Sequence, residues 1–136
     1  MKDKLIKCLI LFLLPLFLTG CTDADSSSDN SVVFPTAGIY QTGIASWYGA
    51  EYQGLPTASG EAFDRNSMTA AHKELPFQTW VEVTNLENGR QVTVRINDRG
   101  PFVAGRIIDL SEKAADELGM KNAGLAQVSL KIVGAP

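Results

Sequence analysis

Sulfur, imidazole and positive charge are all scarce in this sequence. Among 136 residues there are two cysteines, Cys8 and Cys21, and one histidine, His72. So few soft ligands speak against a zinc centre. Twelve Lys and Arg face fifteen Asp and Glu, a net charge of -3, which excludes a nucleic-acid binder driven by bulk charge. Residues 1–20 take three of the twelve basic residues and one of the fifteen acids, so residues 21–136 are more acidic still, at -5. A bilayer-spanning helix needs roughly 20 apolar residues. The longest apolar run here, Cys8 to Leu18, has 11 and contains Pro15. There is no nucleophile–His–Asp spacing, phosphate loop, dinucleotide fingerprint or internal repeat. Apolar residues are plentiful at 45%, so the chain as a whole is not disordered by composition, and its length suits one folded domain.

The first residues read as an address. Met1-Lys2-Asp3-Lys4 is a short basic start, and Cys8–Leu18 suits the apolar centre of a secretory signal peptide. The run closes on Leu18-Thr19-Gly20-Cys21, which has the pattern of a bacterial lipobox. Cleavage before Cys21 would remove residues 1–20, and Cys8 with them, and leave Cys21 as the lipid-bearing first residue. No thiol would remain for a disulfide. The acyl chains would hold the protein to a membrane without a span. Residue 22 is Thr and not Asp, which in a Gram-negative cell favours the outer membrane. Residues 21–37, rich in Ser, Asp and Asn, read as a flexible linker, and 38–136 as the folded domain.

Within that domain the period-2 signals dominate. Gln91 to Asn97 alternates polar and apolar strictly, Thr79 to Leu86 is rich in β-formers, and Asn88-Gly89 between them marks a hairpin. Ala126 to Ile132 alternates again, and Gly43–Tyr48 and Arg106–Leu110 read as shorter strands. One helix is expected over Glu112–Leu118, capped by Ser111 and stopped by Gly119. A second helical turn is expected over Asn66–Ala70. Short strands with little helix predict a compact β-barrel.

Candidate chemistry falls in three places. In Asn97-Asp98-Arg99-Gly100-Pro101, parity places Asp98 on the side of Val92, Val94 and Ile96. A carboxylate at the rim of an apolar barrel suits a general acid. The plain alternative is a turn cap, or a partner for Arg99 or Arg106. In Thr57-Ala58-Ser59-Gly60-Glu61, Glu61 is either a second carboxylate that raises the pKa of Asp98 or a solvated loop acid. His72, after Ala70-Ala71, either orients a carboxylate or sugar hydroxyl or is a half-buried histidine with its bonds satisfied. Trp47 reads as core, and Tyr48, of opposite parity, as an aromatic face for a sugar ring.

Taken in order, these motifs resemble the rare lipoprotein A (RlpA) family. The likeness runs through Gly43–Gly49, Thr57–Glu61, Ala70–Phe77, Val83–Arg90, Asn97–Phe102 and Gly105–Ser111, and covers about residues 43–133. It implies a six-stranded double-psi β-barrel with one or two short helices. It also implies a peptidoglycan lytic transglycosylase that prefers glycan strands stripped of peptide and needs no metal or cofactor. The family's catalytic Asp falls on Asp98, and its supporting Glu and His on Glu61 and His72. Tyr48, Thr57, Ser59, Asn97 and Arg99 complete the set as glycan contacts. The implied partners are glycan strands, a membrane through Cys21, and cell-division or envelope proteins, with no nucleic acid. Two features depart from the pattern. Many relatives carry a further glycan-binding domain where this sequence stops at Pro136, and the family often has Asn at the position of Ser59. A non-catalytic glycan-binding module of the expansin type, and an envelope interaction protein, are the rival readings.

Overall fold

A computed structural model describes residues 38–136. The expected signal peptide, lipidation site at Cys21 and linker fall outside the described residues. The alternating segments become strands. In chain order they are β1 (Gln41–Tyr48), β2 (Thr69–Ala71), β3 (Trp80–Asn85), β4 (Gln91–Asp98), β5 (Arg106–Ser111) and β6 (Ala126–Gly134), with one helix, α1 (Glu112–Glu117), before β6. The strands close into a barrel in the order β1-β5-β2-β4-β3-β6. β1 with β5 and β2 with β4 run parallel, and the other neighbours are antiparallel. Closure leaves no free sheet edge.

The alternation decides which residues fill the barrel. Val81, Val83, Val92, Val94, Ile96, Ile108, Leu110, Val128 and Leu130 are buried from strands on every side. Trp47 packs against this cluster, and its indole Nε1 donates to the Lys121 carbonyl at 3.2 Å. The helix starts where its cap predicts. Ser111 Oγ accepts from the Ala114 N–H at 3.3 Å and donates to the Ser67 carbonyl at 2.6 Å. Gly119, at φ +76°, turns the chain out after it.

The β3–β4 hairpin forms, but with a longer loop than Asn-Gly alone suggests. Asn85 N–H donates to the Arg90 carbonyl at 2.8 Å, and only Gly89 of the loop has positive φ. Asn88 stays outside the left-handed region and uses its side chain instead: Oδ1 accepts from Arg90 N–H, and Nδ2 donates to the Leu118 carbonyl.

The expected helical turn over Asn66–Ala70 is not there. Asp64 accepts from the Asn66 N–H and the Ser67 hydroxyl, which makes a tight turn over 64–67. Thr69 and Ala70 then enter β2, between β4 and β5, with all three of its residues buried. A three-residue strand buried on both faces has no alternation to betray it, and alanine by itself favours helix. Tertiary position overrides that preference.

Candidate active site

The strict alternation of β4 ends at Ile96. The parallel register to β2 pairs Ala70 with Ile96 but Ala71 with Asp98, so Asn97 is an extra residue. Ile96 and Asn97 are buried in succession, and Asp98 emerges at the end of the strand. It lines an open groove of about 180 Å³ with Tyr48, Tyr52, Ala71, Arg99 and Asp109. The bulge, rather than parity, brings Asp98 to this rim.

Backbone holds the Asp98 carboxylate from two directions. Oδ1 accepts from the Ala58 N–H at 2.9 Å and the Arg99 N–H at 2.8 Å. Among the described residues Oδ2 has no hydrogen-bond partner, and no salt bridge ties Asp98 to Arg99 or Arg106. The Ala58 bond belongs to a wider docking of the 57–61 loop onto β4. Ser59 N–H donates to the Asn97 carbonyl at 3.3 Å. Glu61 accepts from Arg95 Nη1 and Nη2 at 2.8 and 3.0 Å and from Asn97 Nδ2 at 2.8 Å. Thr57 Oγ1 donates to the Glu61 carbonyl at 2.8 Å, and the Ser59 hydroxyl lies 3.0 Å from it. Thr57 and Ser59 thus shape the loop internally. Gly60, at φ +94°, allows it to reverse.

Glu61 is therefore not a bare like charge beside Asp98. The bonds from Arg95, then Asn97, hold its carboxyl below the usual range. It stays ionised at neutral pH and clamps the loop. The pair is partly exposed, at 24% and 36%. Glu61→Gln is expected to cost only about 1 kcal/mol, read by thermal melting. It should speed hydrogen exchange at the Ala58 and Ser59 amides. Unchanged exchange there would remove Glu61 from the docking of the loop.

His72 does not share the groove with Asp98. It is 1% exposed, and Nδ1 accepts from the Glu74 and Leu75 N–H groups at 3.0 and 3.1 Å. Nε2 faces Gln41 Oε1 at 2.9 Å and must be the protonated nitrogen. Burial lowers the imidazole pKa, so the ring is neutral. Its link to Asp98 is backbone only: His72 N–H donates to the Asp98 carbonyl at 3.1 Å. Arg99 secures the same segment. Its Nη1 donates to the His72 and Leu75 carbonyls at 3.2 and 2.9 Å, and its guanidinium lies 4.0 Å above the Phe77 ring.

Tyr48 forms an aromatic wall of the groove, with its ring 4.5 Å from Phe63 and edge-on to Tyr52 at 5.6 Å. Its hydroxyl is buried and has no partner among the described residues. Burial first, then the charges of Asp98 and Asp109, push the phenol pKa far up, so the hydroxyl is a neutral donor. The sequence offered no reason to single out Asp109 beyond its place in a motif. It faces the groove because β5 lies against the other side of β2. No cluster of three or more His, Cys, Asp or Glu suited to a metal occurs among the described residues.

The chain is similar to known proteins in sequence and in fold. The family described as "Lytic transglycolase" matches residues 40–130. Among solved structures, the Streptomyces papain inhibitor is similar at TM-score 0.55 and 26% identity, covering 70% of this chain and 96% of its own. A mutant Clavibacter michiganensis expansin in complex with cellohexaose gives TM-score 0.56 at 25% identity, over 71% of this chain and 52% of its own. The Campylobacter jejuni endolytic peptidoglycan transglycosylase RlpA is 56% identical over 92 residues, 68% of this chain and 34% of that protein. The probable enzyme of the same name from Treponema pallidum is 59% identical over 92 residues, 68% of this chain and 29% of that protein. This chain thus spans about a third of the length of the curated relatives it matches. The closed barrel, the six ordered motifs and these identities place the chain in the RlpA family of double-psi β-barrel proteins.

Proposed function

We propose that the barrel is a lytic transglycosylase. It cleaves the bond from N-acetylmuramic acid to N-acetylglucosamine in peptidoglycan, prefers strands stripped of peptide, and leaves 1,6-anhydro-muramic ends. The observation that carries this reading is Asp98. One carboxylate oxygen is fixed by two backbone N–H groups, and the other is unpartnered in an open groove. The relatives named as endolytic peptidoglycan transglycosylases support it, and an expansin barrel in complex with cellohexaose supports a glycan as the ligand.

Asp98, protonated, donates to the glycosidic oxygen. The departing bond leaves positive charge on the anomeric carbon, which the sugar's own acetamido oxygen shares. Asp98 then takes the proton of the muramic 6-hydroxyl as that oxygen closes on the anomeric carbon. Water is not consumed, in contrast to two-carboxylate hydrolysis. Tyr48 and Arg99 contact the glycan. Glu61, Asn97, Thr57, Ser59 and His72 position Asp98 and its loops without handling a proton.

Residues 1–20 serve as the signal peptide, Cys21 as the lipid anchor, 21–37 as the tether and 38–136 as the catalytic domain. This places the protein in the cell envelope, on the outer membrane where the cell is Gram-negative, with envelope or division proteins as its neighbours. Mass spectrometry of peptide-free glycan after incubation with the purified chain tests the activity. New anhydro ends are expected. Intact glycan that pellets with a folded protein would replace the enzyme by an expansin-like binding module.

A further inference from the structure

Two carboxylates, not one, face the groove. Asp98 ends β4, Asp109 lies in β5, and β2 runs between them. Ala71 is the register partner of both, one on each side. Neighbouring strands are about 4.8 Å apart, so the two aspartate Cα atoms are separated by roughly 10 Å. Between them the floor is the small Ala71 side chain, and all three residues line the same groove. That leaves room for a sugar ring with a carboxylate on either side.

The surroundings of Asp109 hold one of its oxygens and leave the other to spare. Oδ1 accepts from Ser46 Oγ and from Arg106 Nη2, the latter in a salt bridge of 3.0 Å. Oδ2 has no partner among the described residues. Tyr48, whose buried hydroxyl lacks a partner, feels the charges of both aspartates. A carboxylate that only tied β5 to β1 would not need a place in the groove. Nothing in the single-acid mechanism above uses it.

We propose that Asp109 is a second catalytic carboxylate of the same reaction, an anion that stabilises the positive charge on the anomeric carbon while Asp98 moves the proton. The inference rests on the transglycosylase reading. The bond from the muramic anomeric carbon to the glycosidic oxygen breaks, and its electron pair leaves on that oxygen, which takes the Asp98 proton. The muramic 6-oxygen bonds to the anomeric carbon, and its proton returns to Asp98. Asp109 exchanges no atom. A charge fixed beforehand in a partly desolvated groove need not reorganise as the transition state forms, and such groups contribute about 10²–10³-fold in rate. Arg106 and Ser46 supply the fixing.

The test compares wild type with Asp109→Asn, Arg106→Gln and Asp109→Glu, using the full chain on peptide-free glycan. Initial rates are taken from anhydro ends, and binding from pelleting with glycan. Asp109→Asn is expected to lower kcat by about 100-fold or more with KM changed by less than about threefold. Arg106→Gln removes the same ion pair from its other end and should cost less than about tenfold. Asp109→Glu keeps the charge and the ion pair but displaces the carboxylate by one methylene. It should lose about tenfold or more at an unchanged melting temperature, and it carries the test if Asp109→Asn fails to fold. Equal losses in Asp109→Asn and Arg106→Gln would reduce Asp109 to an anchor for Arg106. A near-wild-type rate in folded Asp109→Asn, or in Asp109→Glu, would also overturn the proposal. If wild type itself makes no anhydro ends, the transglycosylase reading falls and takes this inference with it. If wild type makes anhydro ends and folded Asp109→Asn or Asp109→Glu makes them at nearly its rate, only the inference falls.

Discussion

Asp98→Asn should yield a folded, glycan-binding barrel whose production of anhydro ends falls by about 10³-fold or more. General acid–base catalysis by one positioned side chain contributes about 10²–10⁴-fold. Here the same group performs both proton transfers, so the upper part of that range applies. The fold should survive because of how the carboxylate is held. Asn keeps an oxygen at Oδ1 to accept from Ala58 and Arg99 N–H. Its amide nitrogen replaces Oδ2, which meets no donor among the described residues. Loop 57–61 therefore stays docked, and the melting temperature should move by only a few degrees. Asp98→Ala is the poorer test, because it strips the Ala58 amide of its acceptor and frees the loop. The comparison needs melting curves, glycan pelleting and product analysis on the same preparations. A folded Asp98→Asn protein that cleaves within tenfold of wild type would end the assignment of Asp98 as the acid.

Asp98 was legible as a candidate because its signals are local: an alternating strand, an Asp at its end and a Gly-Pro stop lie within eleven residues of one another, and the family resemblance, not that pattern, assigned it the role of acid. The hairpin and the Ser111 cap are local in the same sense. What could not be read depends on partners far along the chain. The bulge at Asn97 exists only against β2, and β2 is three small residues with no period of their own. The Glu61 clamp needs Arg95, which lies 34 residues away and looks from alternation like any outward-facing polar residue of β4. Asp109 reaches the groove through the barrel order β5-β2-β4, which no alternation pattern encodes. Sequence therefore supplied the candidate acid, and the fold supplied its surroundings. It also replaced the expected like-charge pressure from Glu61 by a paired clamp.

His72 shows the same division in a single residue, and its replacement should have the largest effect on stability. His72→Ala is expected to destabilise the barrel by about 3–5 kcal/mol, as a buried cavity and lost buried bonds together imply. That is a large part of the 5–15 kcal/mol typical of a domain. The ring fills a buried site, accepts two backbone bonds that shape residues 72–75, and pairs with Gln41. Activity should fall with stability, because that segment supplies the carbonyls that hold Arg99 and the N–H that holds the Asp98 backbone. The pH dependence separates this positioning role from a proton-transfer role. Burial lowers the His72 pKa in the fold, against the smaller opposing pull of Glu74 and with the support of Arg99 and Lys73. The unfolded chain, with a pKa of about 6.5, then binds more protons than the folded one. Stability is complete above that value and is lost as pH falls below it. His72 is the chain's only histidine, so between about pH 7.5 and 5.5 the change belongs chiefly to it. Wild type should melt at a lower temperature at pH 5.5 than at pH 7.5, whereas His72→Asn should start lower and lose most of that difference. A protonated, catalytic His72 would give the opposite sign, with stability gained on acidification, and melting curves at the two pH values are enough to tell the two apart.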